Sequence, residues 1–150
     1  MTGRAPVGFR TPHFGSFQKP HELRRLHALL KDLGYRFSTS TMPFYAVKNG
    51  TMFRRFGLPE VPVTGRAGDP LSILDSWSYR FAPHRRVGPE DYEQEVSDIA
   101  SMLETGHPIL INLYADPSQV HGWDGFFTSM RRLAPYALPG YSALLDGAGV

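Results

Sequence analysis

A helix-length stretch lies between two short strand-like runs at the start of this chain, and that spacing leaves little freedom of topology. Val7-Gly8-Phe9-Arg10 reads as a short strand running into a loop over 11–18 that Pro12 and Gly15 interrupt. Pro20 suits the first turn of a helix. Leu23, Leu26, Leu30 and Leu33 then recur at helical spacing, and Gly34 supplies a C-terminal stop. Tyr35-Arg36-Phe37-Ser38-Thr39-Ser40 alternates apolar and polar residues as a strand does. Strands joined through a helix at this distance run parallel, so the pattern predicts a βαβ unit and an α/β fold class.

A second unit follows the same logic. Pro89 opens a helix with Glu90 and Asp91 in its first turn, where they complement the helix dipole. Tyr92, Val96, Ile99 and Leu103 form its apolar stripe, and Gly106 ends it. The run from Pro108 to Ala115 is mostly apolar and reads as a buried parallel strand ending at Asp116-Pro117. A further helix is expected from Trp123 to Leu133, with a weak final turn from Tyr141 to Leu145. Between the two units the pattern is less regular. Met42 to Tyr45 and Asn49-Gly50 look like loop and turn, Glu60 to Thr64 like a short strand, and Leu71 to Tyr79 fits strand or helix. A single domain over residues 1–150 is expected.

Composition removes several classes of function. The absence of cysteine excludes disulfides, thiolate metal sites and cysteine nucleophiles. Sixteen Lys and Arg against fourteen Asp and Glu give a net charge of +2, and the basic residues fall in scattered pairs such as Arg24-Arg25 and Arg131-Arg132. Nucleic-acid binding wants clustered charge, so no nucleic-acid partner is expected. No apolar run approaches the roughly 20 residues of a membrane helix, and no membrane partner is expected. No signal peptide is visible, and the chain, if complete as written, would be expected in the cytoplasm.

Parallel α/β folds build their sites at the carboxyl ends of strands. Two loops lie there: 11–15, after the first strand, and 116–123, after the apolar run. Arg10 at a strand end can grip a carboxylate, and Pro12 can fix the backbone so that the next amide points at an anion. The plainer alternative is a surface arginine in an ordinary turn. Trp77, Tyr79, Tyr114, Trp123, Phe126 and Phe127 supply aromatic surface on which a sugar ring could stack. Trp77 and Trp123 are expected to be exposed, and Phe126-Phe127 to be packed. His21 and His27 do not share a helix face, and neither they nor His84, His107 and His121 make a ligand spacing.

Arg10-Thr11-Pro12 resembles the third motif of the polysaccharide deacetylases, the NodB-homology or fourth carbohydrate-esterase family. Leu33-Gly34-Tyr35-Arg36-Phe37-Ser38-Thr39-Ser40 is similar to that family's strand ending in YSSS, and Leu58 to Thr64 is similar to its L-x-E-I-P-V-T segment. Tyr114-Ala115-Asp116-Pro117 stands where many members carry Y-x-H-P. The resemblance covers roughly Gly8 to Val120 in family order. It implies part of a distorted (β/α) barrel of the glycoside hydrolase and deacetylase type. The parent activity it implies is metal-dependent removal of N-acetyl groups from amino-sugar polymers.

By the same resemblance, Arg10 would orient a base aspartate and the His13 amide would serve an oxyanion hole. Asp116 would stand in the place of the acid, with His121 as a substitute. Pro12, Phe14, Asp75, Trp77, Tyr114 and Trp123 would line the substrate groove. The family's zinc is held through its Thr-Phe-Asp-Asp and His-x-x-x-His motifs, which precede Arg-x-Pro. Only nine residues precede Arg10 here, so no metal ligand is assigned and this chain alone is expected to be inactive. A carbohydrate partner is expected, together with self-association or a partner chain that completes the barrel. A non-catalytic carbohydrate-binding or scaffold protein, and an unrelated small α/β domain, stand as alternatives.

Overall fold

The computed structural model describes residues 5–82 and 86–147. The predicted βαβ unit is present. Strand β1 (Gly8–Phe9) leads to helix α1 (Pro20–Asp32) and then to strand β2 (Phe37–Ser38), and the two strands pair in parallel with Gly8 opposite Phe37 and Phe9 opposite Ser38. Helix α1 begins at Pro20, and the Glu22 side chain accepts from the Lys19 amide at 3.2 Å, satisfying one free donor of the first turn. Its inward face carries Leu23, Leu26, His27 and Leu30. Leu33, expected to continue the stripe, is the C-cap and 64% exposed; the helix ends at Asp32, one residue before it.

The sheet extends beyond β2 through irregular segments. Glu60 bridges to Ser38 in parallel and to Phe53 in antiparallel fashion, and the Val63 amide donates to the Thr41 carbonyl at 3.1 Å. The Thr64 amide then donates to the Asn112 carbonyl at 3.0 Å, and Asp75 bridges in parallel to Tyr114. Pro59 and Pro62 interrupt this stretch, which explains why single bridges replace a continuous ladder. The expected buried strand over 108–115 is an extended segment with one bridge, and Ile109, Leu110 and Ile111 are only half-buried.

Two expectations change in the middle of the chain. Met42 to Tyr45 is not a loop: Pro43 opens helix α2 (Pro43–Asn49), and Gly50 stops it with φ of +92°. The ambiguous stretch from Leu71 is both elements in turn. Ile73 pairs with Gly65, and Asp75 then caps helix α3 (Ser76–Arg80) by accepting from the Ser78 amide at 2.8 Å.

The second half packs helix on helix. Helix α4 (Pro89–Glu104) lies against helix α6 (Asp124–Leu133), reached through the short helix α5 (Pro117–Val120). Their shared core holds Leu74, Tyr79, Tyr92, Val96, Val120, Trp123 and Phe126. Two aromatic expectations fail here. Trp123 is only 6% exposed, because its indole ring packs against Tyr92 and Phe126 while its N–H donates to Glu93 at 3.1 Å. Phe127, one position round the helix from buried Phe126, faces outward. The chain closes with a 3-10 turn (Ala134–Tyr136) and helix α7 (Tyr141–Gly147). His84 lies outside the described residues.

Candidate functional site

Arg10 follows directly on β1, and its side chain reaches residues beyond β2 and on the 112–113 segment and α7. Its guanidinium donates to the Leu113 carbonyl at 3.2 Å, to Thr39 Oγ1 at 3.1 Å, to Asn112 Oδ1 at 2.7 Å and to the Tyr141 hydroxyl at 2.7 Å. The Phe14 and Tyr114 rings stand beside it, with centroids 5.7 and 5.9 Å from the guanidinium carbon. All its hydrogen-bond acceptors are neutral, and no carboxylate pairs with it among the described residues. One arginine thereby ties together the carboxyl ends of β1 and β2, the 112–113 segment and helix α7.

Asn112 completes this knot. Its side-chain amide donates to Thr39 Oγ1 at 2.8 Å and to the Val61 and Pro62 carbonyls at 2.9 and 3.0 Å. Its Oδ1 accepts from the Tyr141 hydroxyl at 2.5 Å. Neither Asn112 nor Tyr141 was singled out as a site residue by sequence. The signal for Asn112 was a lone amide in an apolar run, which a buried strand keeps only when the amide is fully bonded. Tyr141 carries no comparable signal.

The other candidates gather beside this knot. Asp75 is buried, spent on capping α3, and bridged to Tyr114. Ser76, next to it, accepts from the Asp116 amide at 3.1 Å, which places the 116–120 loop against the start of α3. Trp77 is half exposed, as expected, and stacks on Phe81 at 5.7 Å. Pro12 and His13 are exposed, and the His13 amide makes no hydrogen bond among the described residues. Phe14 is different from its expected role: it is buried against Val63, Ile73 and Tyr114, so it braces Arg10 instead of facing a groove. Trp123 belongs to the α4–α6 core and is removed from the groove-lining set.

Asp116 does not have the environment of a general acid. Its carboxylate accepts from the Ser118 hydroxyl at 2.6 Å and the Ser118 amide at 2.8 Å, capping α5. Those bonds hold its pKa below the ordinary aspartate value, and slight burial does not offset them. An acid at neutral pH needs the opposite shift. His121, considered as a substitute, is exposed, and its carbonyl accepts from Arg80 at 2.9 Å, while its ring makes no hydrogen bond among the described residues.

A second polar cluster lies on the α1 side of the sheet. Glu60 Oε1 accepts from the Ser40 amide at 2.6 Å and from the Thr41 amide and hydroxyl, each at 2.9 Å. Its other oxygen faces His27 Nε2 at 3.0 Å, and His27 Nδ1 accepts from the Leu58 amide at 3.3 Å. Nδ1 therefore carries no proton, and Nε2 carries the one that Glu60 accepts. Burial alone would raise the Glu60 pKa, but the bonds from His27, Ser38 and the Ser40 amide bring it below the ordinary value. Both imidazole nitrogens are occupied and both side chains are fully enclosed, so this pair has no free position for a substrate.

Among the described residues no three His, Asp or Glu side chains come together as a metal seat. The described residues thus do not fit a catalytic zinc, and no step through one is derived. No described helix is long and apolar enough to cross a membrane. Compared with known proteins, the chain matches no family model, no curated protein and no solved structure.

Proposed function

We propose that this chain is a polysaccharide-deacetylase-related (β/α) segment that binds N-acetylated amino-sugar chains and does not hydrolyse them by itself. The observation that carries the reading is convergence. Arg10, Asp75 and the Tyr114-Ala115-Asp116 run come from three stretches far apart in sequence, yet the Tyr114 ring stands beside Arg10, Tyr114 bridges to Asp75, and the Asp116 amide donates to Ser76, next to Asp75. They meet at the carboxyl ends of parallel segments, where α/β proteins place ligands. Trp77, exposed beside Asp75 and stacked on Phe81, offers the flat apolar face a sugar ring needs.

The ionised, capped Asp116 favours the binding role over the catalytic one. The parent chemistry is hydrolysis of an acetamide carbon–nitrogen bond. It would require a base and a cation seat from residues other than those described, on a partner chain or elsewhere in a longer protein.

Titration with chito-oligosaccharides tests the reading, followed by calorimetry, with acetate release measured in parallel in the presence of zinc. Binding in the millimolar range or tighter, weakened about tenfold by Trp77→Ala and without acetate release, is the expected result. No binding at millimolar ligand removes the carbohydrate reading. Stoichiometric zinc with acetate release from the pure chain overturns the claim that it is inactive alone.

A further inference from the structure

A separate cavity of about 560 Å³ opens between the C-terminal ends of α4 and α6, the 109–113 segment and α7. Its walls are aliphatic, with Leu103, Ile109, Ile111, Leu133, Leu138 and Leu144 among them. Its size falls inside the roughly 300–1,000 Å³ of small-molecule sites. Asn112 and Tyr141, with Tyr136, bring polar side chains into the lining. The first two are direct partners of Arg10, each 2.7 Å from the same guanidinium nitrogen.

Through these two lining residues the cavity lies one side chain away from a half-buried cation that has no carboxylate partner among the described residues. A guanidinium bonded only to neutral oxygens gains from exchanging one of them for a carboxylate, because charge-assisted bonds are about twice as strong. The Tyr141 hydroxyl is the partner a ligand would exchange. It belongs to the seven-residue helix α7, whereas Thr39, Asn112 and the Leu113 carbonyl belong to the segments around the sheet. A ligand with an aliphatic body and a carboxylate head matches the aliphatic lining and this cation.

We propose that this cavity binds a medium-chain aliphatic monocarboxylate, its tail between α4, α6 and α7 and its carboxylate replacing the Tyr141 hydroxyl on Arg10. The carbohydrate reading also uses Arg10, but the two are told apart by their probes and variants: octanoate with Tyr141→Phe here, chito-oligosaccharides with Trp77→Ala there. Failure of one leaves the other standing.

The test is calorimetric titration of the full chain with octanoate and, separately, with octanol. The two ligands share a tail and differ in charge. Octanoate binding with Kd below about 1 mM and at least about tenfold tighter than octanol supports the proposal. Tyr141→Phe removes the competing hydroxyl and is expected to tighten octanoate binding about threefold while leaving octanol unchanged. Arg10→Gln is expected to abolish the preference for octanoate. Because that variant can also loosen the sheet, the wild-type ligand pair and Tyr141→Phe carry the decision. Equal affinity for the two ligands overturns the proposal, as does weaker octanoate binding by Tyr141→Phe. Sedimentation of the free chain as a dimer that binds neither ligand overturns it too, showing that a second copy covers the cavity.

Discussion

Replacing Glu60 by Gln isolates the one buried charge on which the α1 side of the sheet depends. The glutamine oxygen can take the place of Oε1 and still accept from the Ser40 and Thr41 amides and the Thr41 hydroxyl. Those three bonds lose their charge assistance, which is worth about 0.5–1 kcal/mol each. The glutamine NH2 must then face His27 Nε2–H, and the imidazole cannot yield by moving its proton, because Leu58 N–H already points at Nδ1. Two buried donors in opposition cost about 1–3 kcal/mol. Relief of the desolvation of a buried carboxylate offsets part of this, so the expected net loss is about 3 kcal/mol.

Urea unfolding followed by tryptophan fluorescence measures it. With a slope of about 2 kcal/mol per molar, the midpoint should fall by about 1.5 M. The pH dependence gives an independent check. The folded-state pKa of Glu60 lies below its unfolded value, so the unfolded chain binds more protons between the two. The stabilisation is complete above the ordinary carboxylate range and is lost as pH falls through the folded pKa. The gap between wild type and E60Q should therefore narrow on acidification. A variant within about 0.5 kcal/mol of wild type at neutral pH, or a gap that widens in acid, would refute the assignment of charge and proton in this pair.

Three further outcomes follow from local geometry. Gly8→Ala drives a methyl group into the edge of the Phe37 ring, which is also stacked on Tyr141 at 4.8 Å, and should destabilise the chain by about 1–3 kcal/mol in the same unfolding assay. Gly125→Ala displaces the Glu93 carboxylate from the Trp123 indole N–H; it should cost about 1 kcal/mol, and Trp123→Phe should reduce that cost if the bond is its cause. Carbon-detected NMR titration should find the Asp116 carboxyl below the ordinary aspartate range, with the shift shrinking in Ser118→Ala; a raised value would restore Asp116 as a candidate acid.

What was legible in the sequence was periodicity, and what was hidden was polar pairing. The leucine spacing gave α1, the Tyr92–Val96 spacing gave α4, and the short strand-like runs at either end of α1 gave a parallel pair. These signals are local, because a helix or strand shows its buried face in its own residues. The exposure of Trp77 and burial of Trp123 could not be separated, since both have polar neighbours: Ser76 and Ser78 beside Trp77, and Asp124 beside Trp123. What decides between them is a partner from another element: Glu93 on α4 accepts the Trp123 indole N–H and allows the ring to be buried. His27 and Glu60 are 33 positions apart and meet only because β2 brings its neighbouring segment over α1. Helix α2 was missed because its seven residues span too little chain to show a period, although Pro43 marked its first turn.

The same contrast explains where the site is. A sheet with two-residue strands has few ladder bonds to hold it, so its segments need other ties. Glu60 supplies one by gathering the backbone after β2 from the α1 side. Arg10 and Asn112 supply the other, joining the 39, 61–62 and 113 positions through side chain to backbone and side chain to side chain. Each tie is a polar group brought into the interior, and each is tolerable only because its bonds are met. The two ties differ in one respect. Glu60 is closed on all sides, whereas Arg10 is only half-buried and completes its set with the Tyr141 hydroxyl of the short helix α7. The proposed carboxylate site rests on that difference: the Glu60 tie leaves no acceptor to exchange, and the Arg10 tie offers one at Tyr141.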